Sequence, residues 1–204
     1  MFGLLKNNNV KDYRRFRWFY TSDETLVVGG KSDEQNELVL KYFLKPQYIV
    51  VHTSSPGSPF MIIQSENPSK NDIEEASVFC ACFSKQWKML KSEKEKIGVD
   101  IFKGEQMYKT KVMKKGTFGV KGKEETLNVK PKLALVVQKG KIKAVPLVPS
   151  LKTSYKILAE IVPGKLNKNE ATEKIVKKIK DKFNFPVSNE EIMQVIPSDK
   201  IGVK

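Results

Sequence analysis

The chain has 204 residues, of which 40% are hydrophobic, and its formal net charge at pH 7 is +14. This apolar content is ample for a packed core and excludes wholesale disorder. No apolar run approaches the ~20 residues that a membrane span requires. Residues 1–11 lack the apolar region and cleavage site of a secretory signal. We therefore expect a cytoplasmic protein that does not associate with a membrane.

The first half of the chain combines short strands with two amphipathic helices. Strand patterns rich in aromatic and β-branched residues fall at residues 13–20, 26–28, 48–52 and 60–64. The spacing of apolar residues predicts one helix over 32–44 and a longer one over 71–91. Ser69 or Asn71 is suited to cap the longer helix.

The second half changes to short strands separated by turns. Strands are predicted at residues 99–102, 117–120, 133–138, 142–147 and 155–162, and a further amphipathic helix at 170–183. Lys139-Gly140-Lys141 is typical of a hairpin loop, and Pro163-Gly164 is predicted to be a turn.

This irregular order of helices and strands predicts an α+β fold rather than a doubly wound sheet. We expect a mixed or antiparallel sheet packed on one long helix, with a small C-terminal β/α extension. The predicted divisions are a leader at residues 1–12, a main domain at 13–130 and the extension at 131–204.

The positive charge is concentrated in one stretch of the chain. Residues 103–143 contain 12 lysines and three glutamates, a net charge of +9, whereas residues 1–102 carry +1 and residues 144–204 carry +4. Such a basic stripe is typical of proteins that bind a phosphate backbone. The alternative is a lysine-rich composition in which solvated faces carry Lys by default.

Residue types that carry catalysis or bind metals are scarce. Cys80 and Cys82 are separated by one residue, which fits a disulfide poorly, and we predict buried free thiols on a core helix. His52 is the only histidine, and although hydroxyl residues follow it, no carboxylate partner can be assigned. We therefore predict no catalytic residues, metal or cofactor.

Two features point to RNA. Arginines 14, 15 and 17 alternate with aromatic residues in segment 13–20, which combines phosphate contacts with stacking surfaces, although several of these aromatics must be core. In the basic stripe, Gly116, Gly119 and Gly122 alternate with lysines, so backbone amides and ammonium groups face phosphates together; the glycines are turn formers first.

Several segments form an ordered set of motifs along the chain: FRWFYTSDETLVVGGKSDEQNELVLKYFLKPQYIVVHT, GSPFMII, ASVFCACFSKQWK, KGTFGVKGK, IVPG and EEIMQVIPSDKIGV. Together they resemble the NFACT-R domain, particularly its archaeal versions. The last two, with the lysine-rich helix between them, resemble the C-terminal end of archaeal NEMF/RqcH-like proteins. The match departs at Val120-Lys121, where the family usually has Ile-Arg, and at Glu124-Glu125, where it has Lys-Asn. Lysine lacks the bidentate recognition of arginine, and two acids weaken a phosphate contact.

The resemblance implies RNA binding in ribosome-associated quality control, on large ribosomal subunits obstructed by peptidyl-tRNA. Full-length relatives also carry an NFACT-N domain, helix-hairpin-helix segments and a coiled coil. The chain is therefore expected to be a free-standing R protein, a separately encoded half or a fragment.

The leading hypothesis is a binding module that contacts tRNA or rRNA and has no enzymatic activity. Its predicted nucleic-acid-binding residues are Arg14, Arg15, Arg17, Lys31, His52, Lys114, Lys115, Lys121 and Lys123. Two alternatives remain open. One is a protein-interaction module that docks on a separately made NFACT-N half through exposed aromatics of segment 13–20. The other is a module that delivers RNA to an RNA-modifying enzyme.

Overall fold

A computed structural model describes residues 12–204. Residues 1–11, most of the predicted leader, lie outside the described residues. The strands are β1 (Arg17–Tyr20), β2 (Leu26–Gly29), β3 (Ile49–Thr53), β4 (Met61–Ile63), β5 (Ile97–Lys103), β6 (Met107–Tyr108), β7 (Gly119–Val120), β8 (Glu125–Val129), β9 (Leu133–Gln138), β10 (Lys141–Pro146), β11 (Ala159–Leu166) and β12 (Ile201–Val203). The α-helices are α1 (Asp33–Phe43), α2 (Lys70–Cys82), α3 (Pro149–Lys152), α4 (Lys168–Phe183) and α5 (Asn189–Val195).

Two antiparallel sheets form the framework of the described residues. The larger has the strand order β1-β2-β4-β3-β5-β8 and the smaller the order β10-β9-β11-β12, while β6 and β7 pair separately. All the strand pairs among residues 12–204 are antiparallel. The predicted α+β fold with an antiparallel sheet is confirmed.

The two faces of the larger sheet bury different partners. Helix α1 packs on one face, against Val28, Val50 and Ile62. Helix α2 packs on the other, where its residues join a cluster that continues into the second sheet and α4. Because this cluster contains Phe79 of α2 together with Leu135 of β9, the main part of the chain and the predicted extension share one core.

Polar contacts also join the two sheets. The side-chain amide of Gln138 substitutes for a neighbouring strand at the edge of β1: its Oε1 accepts from the Tyr20 N–H at 2.8 Å and its Nε2 donates to the Tyr20 carbonyl at 2.9 Å. Glu75, fully buried on α2, accepts hydrogen bonds from the Ser22 N–H at 2.9 Å and from the Ser22 and Ser150 hydroxyls, each at 2.6 Å. These bonds hold the end of β9 and helix α3 against β1, the turn after it and α2.

Helix α2 and the first strand have different bounds from those predicted. Helix α2 ends at Cys82 instead of continuing to residue 91, because the chain turns into a 3-10 segment, Lys85–Met89, that buries Trp87. The Trp87 indole N–H donates to the Asp199 carbonyl at 2.9 Å, a contact that local spacing does not reveal. The first strand begins only at Arg17, since Asp12 caps a 3-10 turn at Tyr13–Arg15.

The predicted turn at Pro163-Gly164 is wrong. Both residues lie inside β11, where the pairing with β12 shifts register. A Cβ on Gly164 would lie 2.4 Å from the Gly202 nitrogen, so glycine permits the close approach of β12 that keeps the strand in the sheet. Proline and glycine occur at β-bulges as well as in turns, so the dipeptide alone does not distinguish the two.

Candidate nucleic-acid interface

The predicted lysines at 114, 115, 121 and 123 come together in residues 107–123, here termed the basic hairpin, which contains β6 and β7. Apolar side chains at Met107, Phe118 and Val120 attach it to the core on the α1 side of the larger sheet. Gly116 and Gly122 adopt positive φ angles of 76° and 85°, which confirms their role as turn formers. All four lysine side chains are exposed.

Acidic residues of α1 hold the basic hairpin in place. Glu37 accepts the Gly116 N–H at 2.7 Å and binds Lys109, whose ammonium also donates to the Lys114 and Thr117 carbonyls at 2.9 and 3.1 Å. The pKa of Glu37 is lowered, first by the hydrogen bond from Lys109. The Gly116 amide is therefore occupied by Glu37, so it does not serve as the phosphate contact that the glycine–lysine pattern suggested.

The four predicted lysines of the basic hairpin are not equivalent. Lys115 forms an ion pair with Glu34 at 3.1 Å, and this contact adds to backbone hydrogen bonding in lowering the pKa of Glu34 to about 2. The ammonium of Lys121 lies 5.1 Å from the centre of the Tyr108 ring. Gln106 donates to the carbonyls of residues 121 and 123 at 3.0 and 2.8 Å, which fixes their backbone and leaves both ammonium groups in solvent.

A second group of cations lines a cleft between β1 and β10, here termed the junction cleft. Its volume is about 410 Å³, and the end of α2 and part of α5 complete its walls. The charged lining residues are Arg14, Arg17, Lys31, Lys141, Lys143 and Glu191. Glu191 is committed elsewhere, because its carboxylate accepts the Ser188 N–H at 2.9 Å in the N-terminal cap of α5. The cations therefore greatly outnumber the acids.

Aromatic rings form the floor under these cations. The Arg17 guanidinium lies 3.9 Å from the centre of the Phe83 ring, and the Lys143 ammonium lies 3.7 Å from the centre of the Trp18 ring. Such cation–π contacts keep the charge while part of its hydration is lost. Phe16, Trp18 and Phe19 are buried within the chain, so the stacking surface expected for segment 13–20 is largely internal.

Burial and mutual repulsion lower the pKa values of the cleft cations. Burial, followed by the charges of Lys31, Lys141 and Arg17, lowers the pKa of Lys143 to about 8. The pKa of Lys31 is lowered by burial and by Arg17, and the same two causes act on Lys168 at the start of α4. Burial lowers the pKa of Arg17 to about 10, which leaves it charged at neutral pH.

Lys31 connects the two basic regions. It directly precedes Ser32, the N-cap of α1, and it lines the junction cleft. The basic hairpin packs on the same turn of α1, since a Cβ on Gly116 would lie 2.7 Å from the Cβ of Asp33. The junction cleft and the basic hairpin therefore meet at the start of α1, where Lys31 stands next to the acidic first turn of that helix.

Other parts of the basic stripe lie elsewhere. Lys132 forms an ion pair with Glu93 at 3.3 Å and lines a different groove that also contains Glu74 and Glu160. Tertiary folding thus divides residues 103–143 among separate surfaces. Lys141 and Lys143 line the cleft, and Lys168 lies close enough for the charge of Arg17 to act on it. The sequence does not predict these three lysines as site residues, because only the fold brings them near Arg17.

The remaining candidates differ in their surroundings. His52 stacks on Phe60 with ring centres 4.5 Å apart, its Nδ1 lies 2.8 Å from the Thr53 carbonyl, and burial lowers its pKa. These contacts describe a structural histidine. Arg15 is exposed but does not line the cleft. Cys80 and Cys82 are buried free thiols as predicted, and burial raises the pKa of Cys80 to about 12.

Within the described part of the chain, no cluster of three His, Cys, Asp or Glu side chains is placed to hold a metal ion. No helix of residues 12–204 is long and apolar enough to cross a membrane.

Comparison with known proteins places these features in a family. The archaeal Rqc2 homolog aRqcH of Methanocaldococcus jannaschii is 27% identical over 199 residues, covering 92% of this chain and 28% of the relative. The ribosome quality control complex subunit NEMF of Homo sapiens is 32% identical over 90 residues, and its Drosophila melanogaster homolog is 33% identical over the same length. Both matches cover 42% of this chain, but only 8% of the human protein and 9% of the fly protein. The chain thus spans less than a third of the length of each of these relatives.

A solved structure shares the fold. It is the C-terminal part of the fibronectin/fibrinogen-binding protein from Streptococcus suis, with a TM-score of 0.51, 23% sequence identity, and coverage of 57% of this chain and 45% of that one. The family model for the NFACT protein RNA binding domain matches residues 15–122, more than half of the chain. The matched range contains β1, Lys31 and nearly all of the basic hairpin. The chain therefore belongs to the NFACT-R family of RNA-binding domains.

Proposed function

We propose that this chain is a non-enzymatic RNA-binding module of ribosome-associated quality control that holds tRNA or rRNA on obstructed large ribosomal subunits. The observation that carries the proposal is that two groups of cations, those of the junction cleft and those of the basic hairpin, lie on either side of the start of α1. These lysines and arginines are spaced along a surface, as a phosphate backbone requires, rather than gathered around a reacting group.

The relatives support the cellular role. Their names place aRqcH beside Rqc2 and assign NEMF to a ribosome quality control complex. Action on ribosomal subunits implies that the chain works in the cytoplasm. The activities and partners of the full-length relatives are not assigned to this chain, which corresponds to only part of them.

The docking alternative loses its main support. It requires exposed aromatics between residues 13 and 20, but Phe16, Trp18 and Phe19 are at most 4% exposed and Tyr13 pairs with Tyr20 through their hydroxyls. A binding hot spot needs accessible side chains. RNA binding is therefore the better-supported function.

A salt titration of tRNA binding with three matched variants tests the proposal. One replaces Lys114, Lys115, Lys121 and Lys123 by Ala, and the second replaces Arg14, Lys31, Lys141 and Lys143. The control replaces Lys174, Lys177, Lys180 and Lys182, which are exposed on α4. All three variants remove the same positive charge, so a difference in RNA binding between them must come from the loss of direct contacts.

We expect the slope of log Kd against log salt to be smaller by about 3 in the hairpin and cleft variants than in the wild type. Each of the four lost phosphate contacts with single-stranded RNA reduces the slope by about 0.7. The control should keep the wild-type slope. Equal slopes in all four proteins would contradict the proposed surface.

A further inference from the structure

The junction cleft gathers like charges from both halves of the chain. Of the lining residues, Arg17 and Lys31 come from the main domain and Lys143 from the segment that follows it. Lys168, also from that segment, lies near the cleft. Their proximity is evident from the electrostatic effect of Arg17 on each of the three lysines. Cations in a shared cleft repel one another, so the fold places side by side the groups that electrostatics alone would separate.

Arg17 lacks an acceptor. Its Nε is buried and has no hydrogen-bond partner among the described residues, and no ion pair with Arg17 is formed within residues 12–204. A guanidinium has five N–H donors and no acceptor, and oxyanions such as carboxylate and phosphate accept its hydrogen bonds most strongly. Buried donors of this kind are normally paired, which indicates that the acceptor comes from a ligand.

The charge and shape of the cleft identify that ligand. Phe83 beneath Arg17 and Trp18 beneath Lys143 cover one side of each cation, and both cations line the cleft. Several cations around an opening of about 410 Å³ match a compact, multiply charged oxyanion. A single carboxylate would leave most of the positive charge unbalanced.

Resting on the RNA-binding function above, we propose that the junction cleft is a specific subsite for one phosphate group, bound by Arg17, Lys31 and Lys143 with Lys168 nearby. The bound phosphate neutralises cations from both halves of the chain and so fastens β10 to β1. RNA binding at this subsite would thus stabilise the junction, whereas contacts at the basic hairpin would not.

Thermal unfolding of the full chain in inorganic phosphate, against chloride at the same ionic strength, tests the subsite. We expect phosphate at ten times its Kd to raise Tm by about 3–6 °C. The double variant Lys31→Gln, Lys143→Gln should lose this response. In chloride, its Tm should exceed that of the wild type, because removing like charges relieves repulsion. The control, Lys174→Gln with Lys177→Gln on exposed α4, should respond to phosphate as the wild type does.

Two results would overturn the subsite. One is an equal phosphate response in wild type and the Lys31, Lys143 variant, and the other is no response in the wild type. If these lysines had a purely structural role, the double variant would have a lower Tm in chloride than the wild type. A higher Tm shows that the variant is folded, so its lost phosphate response does not come from misfolding.

Thermal unfolding with RNA oligonucleotides distinguishes a terminal phosphate from a backbone phosphate as the ligand. An oligonucleotide with a 5′-phosphate that stabilises the wild type more than its dephosphorylated form assigns the subsite to a terminal phosphate, and equal stabilisation assigns it to the backbone. Loss of the phosphate response with RNA binding intact refutes the subsite alone. A phosphate response without RNA binding refutes the proposed function and leaves the subsite standing.

Discussion

Lysines of the basic hairpin stand in solvent beside acidic residues of α1, whereas the cations of the junction cleft lie on aromatic rings with little acidic compensation. In the hairpin, Glu34 and Glu37 pair with Lys115 and Lys109. In the cleft, Lys143 and Arg17 are partly removed from water and repel each other. Acidic side chains therefore balance the lysines of the hairpin, whereas the cations of the cleft repel one another. Binding of an anion should lower the electrostatic energy of the cleft more than that of the hairpin.

The largest expected effect is on stability, and it compares the contacts that hold the two sheets together with those that hold the basic hairpin. Glu75→Ala removes a buried acceptor that serves Ser22 and Ser150, and we expect it to lower the free energy of unfolding by about 3 kcal/mol. Glu37→Ala removes the acceptor of the Gly116 amide at a partly exposed position, so its effect should be local. Denaturant unfolding measures the first, and hydrogen exchange at Gly116 the second. A larger global loss in Glu37→Ala than in Glu75→Ala would contradict this division.

An intermediate effect concerns pH and Lys143. Its pKa falls from an ordinary 10.5 to about 8 in the folded chain, so between pH 8 and 10.5 the unfolded chain binds more protons. Stability must then rise with pH across this window, and the contribution of Lys143 vanishes in Lys143→Met. Phosphate affinity should move oppositely and fall above pH 8, as the ammonium loses its proton.

Thermal unfolding and phosphate titration from pH 7 to 10.5 measure both trends. The matched control is Lys114→Met, which removes an exposed lysine of the basic hairpin. Identical pH profiles for Lys143→Met and Lys114→Met would show that the cleft lysine is not distinguished by its surroundings.

The smallest expected effect concerns the pairing of Lys115. Glu34→Gln frees this lysine from an ion pair in which both side chains are more than half exposed, 62% for Lys115 and 61% for Glu34. Stability should barely change, because exposed pairs contribute little, while tRNA affinity at low salt should rise about twofold. Fluorescence anisotropy at two salt concentrations checks this, with Glu190→Gln on exposed α5 as the matched control. Weaker tRNA binding in Glu34→Gln would mean that the pair positions Lys115 for RNA.

Local signals in the sequence account for much of the fold. Ser69 does cap α2, and Lys139-Gly140 does form the hairpin between β9 and β10, with φ angles of 52° and 73°. Both features depend on residues adjacent in the chain, so their spacing was sufficient to predict them. The sequence does not predict strand β8, because most of its residues are exposed and polar and show no alternation of apolar and polar positions. Its pairing with β5 is evident only in the folded sheet.

The sequence by itself determined the α+β class, the family and the lysines of the basic hairpin, because these follow from periodicity, motif order and charge within short segments. Only the tertiary structure decided that Arg17, Lys31 and Lys143 share a cleft, that Lys109 braces the hairpin and that His52 stacks on Phe60. The physical reason is that burial and Coulomb interactions depend on distance in space, and these residues meet only after the two sheets pack on one core.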